Sequence, residues 1–217
     1  ASVRCWTDAA VTGHAAAQYR LGVCYFTGDG CRRDVSHAID LWAKAADQNH
    51  KDAQLAISSA YAMGEGVTQD LEKSFFWCRS SAELGNKEAM MKLGVHYFCG
   101  LGVKENKSTA VRVWKDAANA GDLDAKCALA TCYQKGEGVR QDLVQAFEIW
   151  SEAAQVGHIE SKNALASCYV SGSGVERNEE AAVSLWQDST VFGDPEGQHN
   201  LAVCHFFGDG VTKDRFE

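Results

Sequence analysis

The sequence predicts an all-α fold, an α/α solenoid of stacked helical hairpins on a 36-residue repeat. Three observations carry that expectation. A glycine pair recurs at Gly28/Gly30, Gly64/Gly66, Gly100/Gly102, Gly136/Gly138, Gly172/Gly174 and Gly208/Gly210, each 36 residues after the last. A tyrosine stands three residues before the first glycine at Tyr25, Tyr61, Tyr97, Tyr133 and Tyr169, with His205 in the sixth copy. Tryptophan keeps the same interval at Trp6, Trp42, Trp114, Trp150 and Trp186, while Cys78 replaces it once beside Trp77. The chain is therefore an array of one unit rather than a set of unlike domains.

Each unit reads as two helices. The first carries small and apolar residues at helical spacing, as in Ala17, Leu21, Gly22 and Tyr25, or Ala125, Leu129, Ala130 and Tyr133. The glycine pair ends it, supplying the positive-φ backbone of a helix C-terminus and tight turn. Asp34, Asp70, Asn106, Asp142, Asn178 and Asp214 follow six residues after the first glycine and read as N-caps of the second helix. That helix presents Ala38, Ile39, Trp42, Ala45 and Ala46, or their equivalents, and closes at Gly13, Gly85, Gly121, Gly157 and Gly193, with Asn49 substituting once. Gly22 and Gly94 share a column with Ser58, Ala130, Ala166 and Ala202, which marks a close helix–helix approach. Full repeats are expected at 14–49, 50–85, 86–121, 122–157 and 158–193, with the second helix of a truncated repeat at 1–13 and a partial repeat at 194–217. Because both ends fall inside a unit, the chain reads as a segment of a longer protein.

Composition narrows the function. A hydrophobic content of 46% supports a substantial core, and a net charge of −8 argues against a nucleic-acid partner. No apolar run approaches the ~20 residues of a membrane span, and Ala1 to Ala10, with Arg4 and Asp8, does not read as a secretory signal. The most motif-like stretches are GEGVTQD at 64–70 and GEGVRQD at 136–142. A phosphate loop needs Gly-Lys-Ser/Thr after a strand, and a calcium loop needs alternating acids across about twelve residues. Neither pattern is present, so the stretches read as turns and Asp70 as a cap.

Cys24, Cys132, Cys168 and Cys204 share one column, with Ala60 and His96 in its other places. Stacked equivalents lie roughly 9–10 Å apart, beyond the ~7 Å a disulfide allows. Cys31 and Cys78 take core positions. A reducing compartment, the cytoplasm, is expected, with the endoplasmic reticulum lumen as the other reading. His96 with Cys99, and Cys204 with His205, lack a zinc-knuckle pattern. No nucleophile elbow or HExxH stands out, so neither an enzyme nor a cofactor is expected. His14, His37, His50, His158, His199 and His205 fall at variable positions and read as solvent-exposed. In the sequon Asn106-Lys107-Ser108 the asparagine reads as a cap.

The consensus A-x-x-x-L-G/A-x-x-Y-x-x-G-x-G-V-x-x-D-x-x-x-A-x-x-x-W-x-x-A-A-x-x-G resembles the Sel1-like repeat family over practically the whole chain. The resemblance implies an architecture like tetratricopeptide repeats, a right-handed superhelix with a concave binding surface. It further implies an adaptor or scaffold, as family members serve in endoplasmic-reticulum-associated degradation, cell-wall synthesis control and bacterial host interaction. Some cysteine-rich relatives staple the two helices of each repeat by a disulfide, a paired placement absent here.

The face of the first helix opposite the consensus residues is where sequence is free. It holds Tyr19, Val23 and Phe26, then Leu55 and Met63, then Met91, Val95 and Phe98. It turns polar at Thr131, Gln134, Lys135, Asn163 and Ser167, and returns to His199, Val203, Phe206 and Phe207. Aromatics and methionines at free positions imply either a docked peptide or helix, or packing against the next repeat. The expected partner is a protein segment on this concave face. Self-association, or a regulatory or targeting role beside a catalytic domain elsewhere, are the alternatives.

Overall fold

A computed structural model describes residues 2–207. Gly208, Gly210 and the expected cap Asp214 lie outside the described residues, as does the Phe207 side chain. The described residues form twelve α-helices and no strand: α1 (Ser2–Val11), α2 (Ala15–Thr27), α3 (Val35–Ala46), α4 (Lys51–Met63), α5 (Leu71–Glu83), α6 (Lys87–Cys99), α7 (Lys107–Asn119), α8 (Leu123–Lys135), α9 (Leu143–Gln155), α10 (Ile159–Ser171), α11 (Glu179–Thr190) and α12 (Pro195–Phe207). The chain divides into two compact units, 1–116 and 117–217, with the boundary inside α7. In unit 1 each helix from α1 to α6 packs on the next in chain order, and in unit 2 the same holds from α8 to α12.

One turn repeats between the helices of a hairpin. In the second repeat Gly64 adopts φ +71° and closes α4, its N–H donating to the Ala60 carbonyl. The chain then returns so that the Asp70 N–H donates to the Tyr61 carbonyl at 3.0 Å, while the Asp70 carboxylate accepts from the Lys73 N–H at 3.0 Å. Asp34, Asn106, Asp142 and Asn178 cap α3, α7, α9 and α11 in the same way. The second glycine answers a different demand. A Cβ at Gly102 would lie 1.9 Å from the Leu71 carbonyl oxygen, and one at Gly174 would lie 2.0 Å from that of Leu143. Each such turn is thus seated against the start of the preceding second helix, where only a backbone without a side chain fits.

Gly30 and Gly66 hold the same column against softer neighbours. Both are exposed to solvent on one side and closely approached on the other. A Cβ would lie 2.9 Å from Val3 Cγ2 at Gly30 and 2.5 Å from Val35 Cγ1 at Gly66. These neighbours are side-chain methyl groups, which can shift where the backbone carbonyls under Gly102 and Gly174 cannot. What Gly30 and Gly66 retain is the left-handed backbone, at φ +73° and +75°.

The tryptophan column supplies the core. Trp42 and Trp114 are buried in unit 1, and Trp150 and Trp186 in unit 2. Trp42 packs with Ala45, Ala46, Ala53 and Ile57, so one indole joins its own hairpin to the next first helix. Each such ring takes roughly 200 Å² out of water, the largest apolar contribution a side chain makes. Trp6, at the start of unit 1, is 37% exposed.

Candidate partner-binding face

Cap chemistry fixes how each first helix begins. Nδ1 of His14 and His50 stands 3.4 and 3.3 Å from the N–H groups of Ala17 and Ala53, and that of His158 stands 3.3 Å from the Ser161 N–H. Asn86, Asp122 and Asp194 do the same for α6, α8 and α12. These six residues form one 36-residue column. His14 is exposed as expected, His50 and His158 are half-buried, and all three are N-caps, which reading the column as His/Asn/Asp would have shown. His50 also stacks on Tyr19 with ring centroids 4.9 Å apart.

The face expected to bind a partner is only partly open. Met63 is 67% exposed and Phe206 70%, and Lys135 is also exposed. Tyr19, Val23, Met91, Val95 and Gln134 are half-buried. Phe26 and Phe98 lean on Trp42 and Trp114 with centroids 5.1 and 5.4 Å apart, so much of each ring is hairpin packing. Leu55 and Asn163 are corrections, being 7% and 3% exposed. Leu55 joins Cys78, Ala89 and Leu93 in the core, and the Asn163 amide donates to the Asp194 cap at 2.8 Å. Helical phase puts both on the free face, but it does not report what the adjoining hairpin lays over a position.

One repeat departs from the others at the place of the indole. In the first and third repeats the indole lies against a glycine and a phenylalanine: Gly22 and Phe26 for Trp42, Gly94 and Phe98 for Trp114. In the second repeat the same three places hold Ser58, Ala62 and Cys78. Polar contacts replace the indole there, because Ser58 donates to the Ser74 carbonyl at 2.8 Å and the Cys78 thiol donates to the Ala89 carbonyl at 3.3 Å. An open cavity of about 260 Å³ remains between α4 and α6. Ser58, Ala62, Ser74, Val95, His96 and Leu101 line it, with Met63 and Lys92 at its edge. His96 is held in place by its Nδ1–H donating to the Leu101 carbonyl at 2.7 Å.

A polar recess of about 190 Å³ continues along the same two helices and shares Ser59 and Lys92 with the cavity. Its walls carry Tyr19, Asp52, Asn86 and Glu88. Glu88 pairs with Lys92 at 2.8 Å, whereas among the described residues Asp52 accepts the neutral Asn86 amide at 2.9 Å and pairs with no cation. Burial and the Asp52 charge push the Tyr19 phenol up, Arg20 opposes them, and Glu88 adds to the rise. Two of the side chains lining the recess are acidic, Asp52 and Glu88, and one is basic, Lys92. A second hollow of about 330 Å³, on the other side of α6, is flanked by Arg79, Glu83, Arg112 and Asp116 over Tyr97. Its charges balance, with Arg79 paired to Glu83 at 2.8 Å.

The nine cysteines are thiols rather than disulfides. Burial pushes Cys78 up to about 12 and Cys168 up to about 11. Among the described residues no group of three or more His, Cys, Asp or Glu is placed to hold a metal ion.

The repeat pattern now meets its relatives. The Sel1 repeat pattern matches residues 15–50, 51–86, 87–122, 123–158, 159–187 and 195–217. The chain belongs to the Sel1 repeat family. Its fold is similar to a protective antigen present in uropathogenic Escherichia coli strains, which displays an SLR fold, with 36% identity over 98% of this chain and a TM-score of 0.91. This chain spans 45% of that antigen's length. A Sel1 repeat protein from Oxalobacter formigenes is 28% identical, with 93% of this chain and 81% of that one covered and a TM-score of 0.87. A putative Sel1 repeat protein from Klebsiella pneumoniae shares the fold at 20% identity and a TM-score of 0.57, over 91% of this chain and 96% of that one. No curated protein matches the chain in sequence. Sel1 repeats are in general non-catalytic scaffolds that bind protein partners. Among the described residues no helix is long and apolar enough to cross a membrane.

Proposed function

We propose that this Sel1 repeat chain is a non-enzymatic scaffold that engages a partner protein through the first-helix face of unit 1. The observation that supports this most directly is the pair of hollows along α4 and α6, an apolar cavity and a polar recess that share Ser59 and Lys92. Solvated helix faces are normally convex and polar; a depression lined by small and apolar side chains is the shape that accepts a peptide or helix. The nine thiols suit a reducing compartment such as the cytoplasm.

The test is capture of partners from the source organism by wild-type protein and by the double variant Met63→Glu/Val95→Ser. These side chains border the cavity, and Met63 is 67% exposed, so helicity and thermal unfolding should stay close to wild type. Loss of a reproducible partner supports the reading. Equal capture by both proteins moves binding to another surface. The 45% coverage of the antigen leaves room for a second reading, a targeting segment serving a domain elsewhere in a longer chain. A partner captured by full-length protein but never by this segment would favour it.

A further inference from the structure

We infer that the α4–α6 groove takes a peptide segment bearing two features: a bulky apolar side chain, seated where the second repeat lacks its tryptophan, and a cationic side chain over Asp52 and Glu88. The inference rests on the scaffold reading and specifies its occupant. The argument begins from absent volume. The first and third repeats place an indole against a phenylalanine of the first helix, and the second repeat has Cys78 and Ala62 instead. The chain does not collapse to close the gap. Ser58, Ser74 and Cys78 satisfy their polar atoms locally, leaving about 260 Å³ open to solvent. A dry cavity of ~150 Å³ holds a benzene, so an aromatic or long aliphatic side chain fits. The missing side chain would be supplied by the partner.

Charge settles the second feature. Asp52 has no cationic partner among the described residues, and Lys92 neutralises only Glu88. Among the lining side chains the surplus is one negative charge, and Arg20 stands near Tyr19 outside that lining. A carboxylate whose only partner is a neutral amide, beside a half-buried tyrosine, gains most from an incoming lysine or arginine. Asp52 and Ala62 are ten residues apart on α4, or ~15 Å at helical rise. The two side chains of the ligand should therefore be separated by roughly four or five residues of extended chain.

Selection of a random dodecapeptide phage library against the wild-type protein tests this. The enriched peptides should pair a basic residue with a large apolar one. Amide shifts on titrating the best peptide into the wild-type protein should centre on Ser58 to Met63 and on Val95. Two variants then divide the site. Ala62→Phe copies Phe26 and Phe98 and plugs the cavity; Asp52→Asn/Glu88→Gln removes the charge. Each should weaken the peptide by about tenfold or more. Shift mapping needs no variant, so the proposal is decided even if a variant fails to fold. Peptides that map elsewhere, ignore both variants or carry acidic residues overturn the inference and leave the scaffold reading standing. Self-association removed by Ala62→Phe would make the occupant a second copy and also overturn it. A library that yields no binder overturns both readings.

Discussion

Gly22 and Gly94 let Trp42 and Trp114 approach the first helix closely enough for Nε1 to donate to the carbonyls of Tyr19 and Met91, at 3.2 and 3.0 Å. Where the column holds Ala130 and Ala166, Nε1 of Trp150 and Trp186 reaches no carbonyl among the described residues, and Trp150 lies against the Cys127 thiol instead. A Cβ built on Gly94 would lie 2.1 Å from the indole nitrogen, so the methyl group and the hydrogen bond compete for one space. Gly94→Ala gains ~1 kcal/mol of helix propensity but leaves a buried donor unpaired, at ~1–3 kcal/mol, in an overpacked site. Net destabilisation of about 1–3 kcal/mol is expected in denaturant titration; a more stable variant would show that the hairpin relaxes as it does around Ala130. The thiols give a second residue-scale expectation. With Cys78 pushed up to about 12 by burial, alkylation of native protein at mildly alkaline pH should mark exposed Cys5 and Cys99 and spare Cys78. Early labelling of Cys78 would mean that α5 opens readily.

At the scale of the element, the turn and its caps govern. The Lys73 N–H bonded to Asp70, more than the Lys73 ammonium, holds that carboxyl below its ordinary value of 3.8. A depressed carboxyl stabilises the fold at pH above 3.8, its unfolded value, and loses that contribution as pH falls through the lower folded value. Asp70→Asn keeps a capping oxygen without the titration, so its stability should change less steeply on acidification. An unchanged acid limb would assign acid unfolding to other carboxylates. Cap loss can be read at α2, where His14→Ala should cost about 1 kcal/mol and His14→Asn almost nothing. Equal losses in thermal melts would mean that the imidazole contributes by contact rather than as an acceptor. These elements are largely legible in the sequence, because Gly64 and Asp70 answer backbone demands that return at every copy. The first-helix caps are not, since His, Asn and Asp share a function without sharing an identity. The site is less legible still. Leu55 and Met63 share one expected face, yet one is core and the other exposed, and only the adjoining hairpin decides between them.

For the whole molecule, repeat arrays hold together by neighbour-to-neighbour interfaces, so damage should stay local. In Gly94→Ala, amide exchange should quicken in α6 and the helices beside it, while α10 and α11 keep their wild-type protection. Uniform loss of protection would instead show one cooperative transition across the chain. The tryptophan bond has a consequence for how such a chain can be rearranged. A first helix carrying glycine suits a second helix whose indole reaches for a carbonyl, and a first helix carrying alanine suits one whose indole stands back. Exchanging single helices between repeats would mismatch these partners; exchanging whole hairpins would not. The hairpin, rather than the helix, is therefore the smallest piece that can be duplicated, shuffled or transplanted without repair.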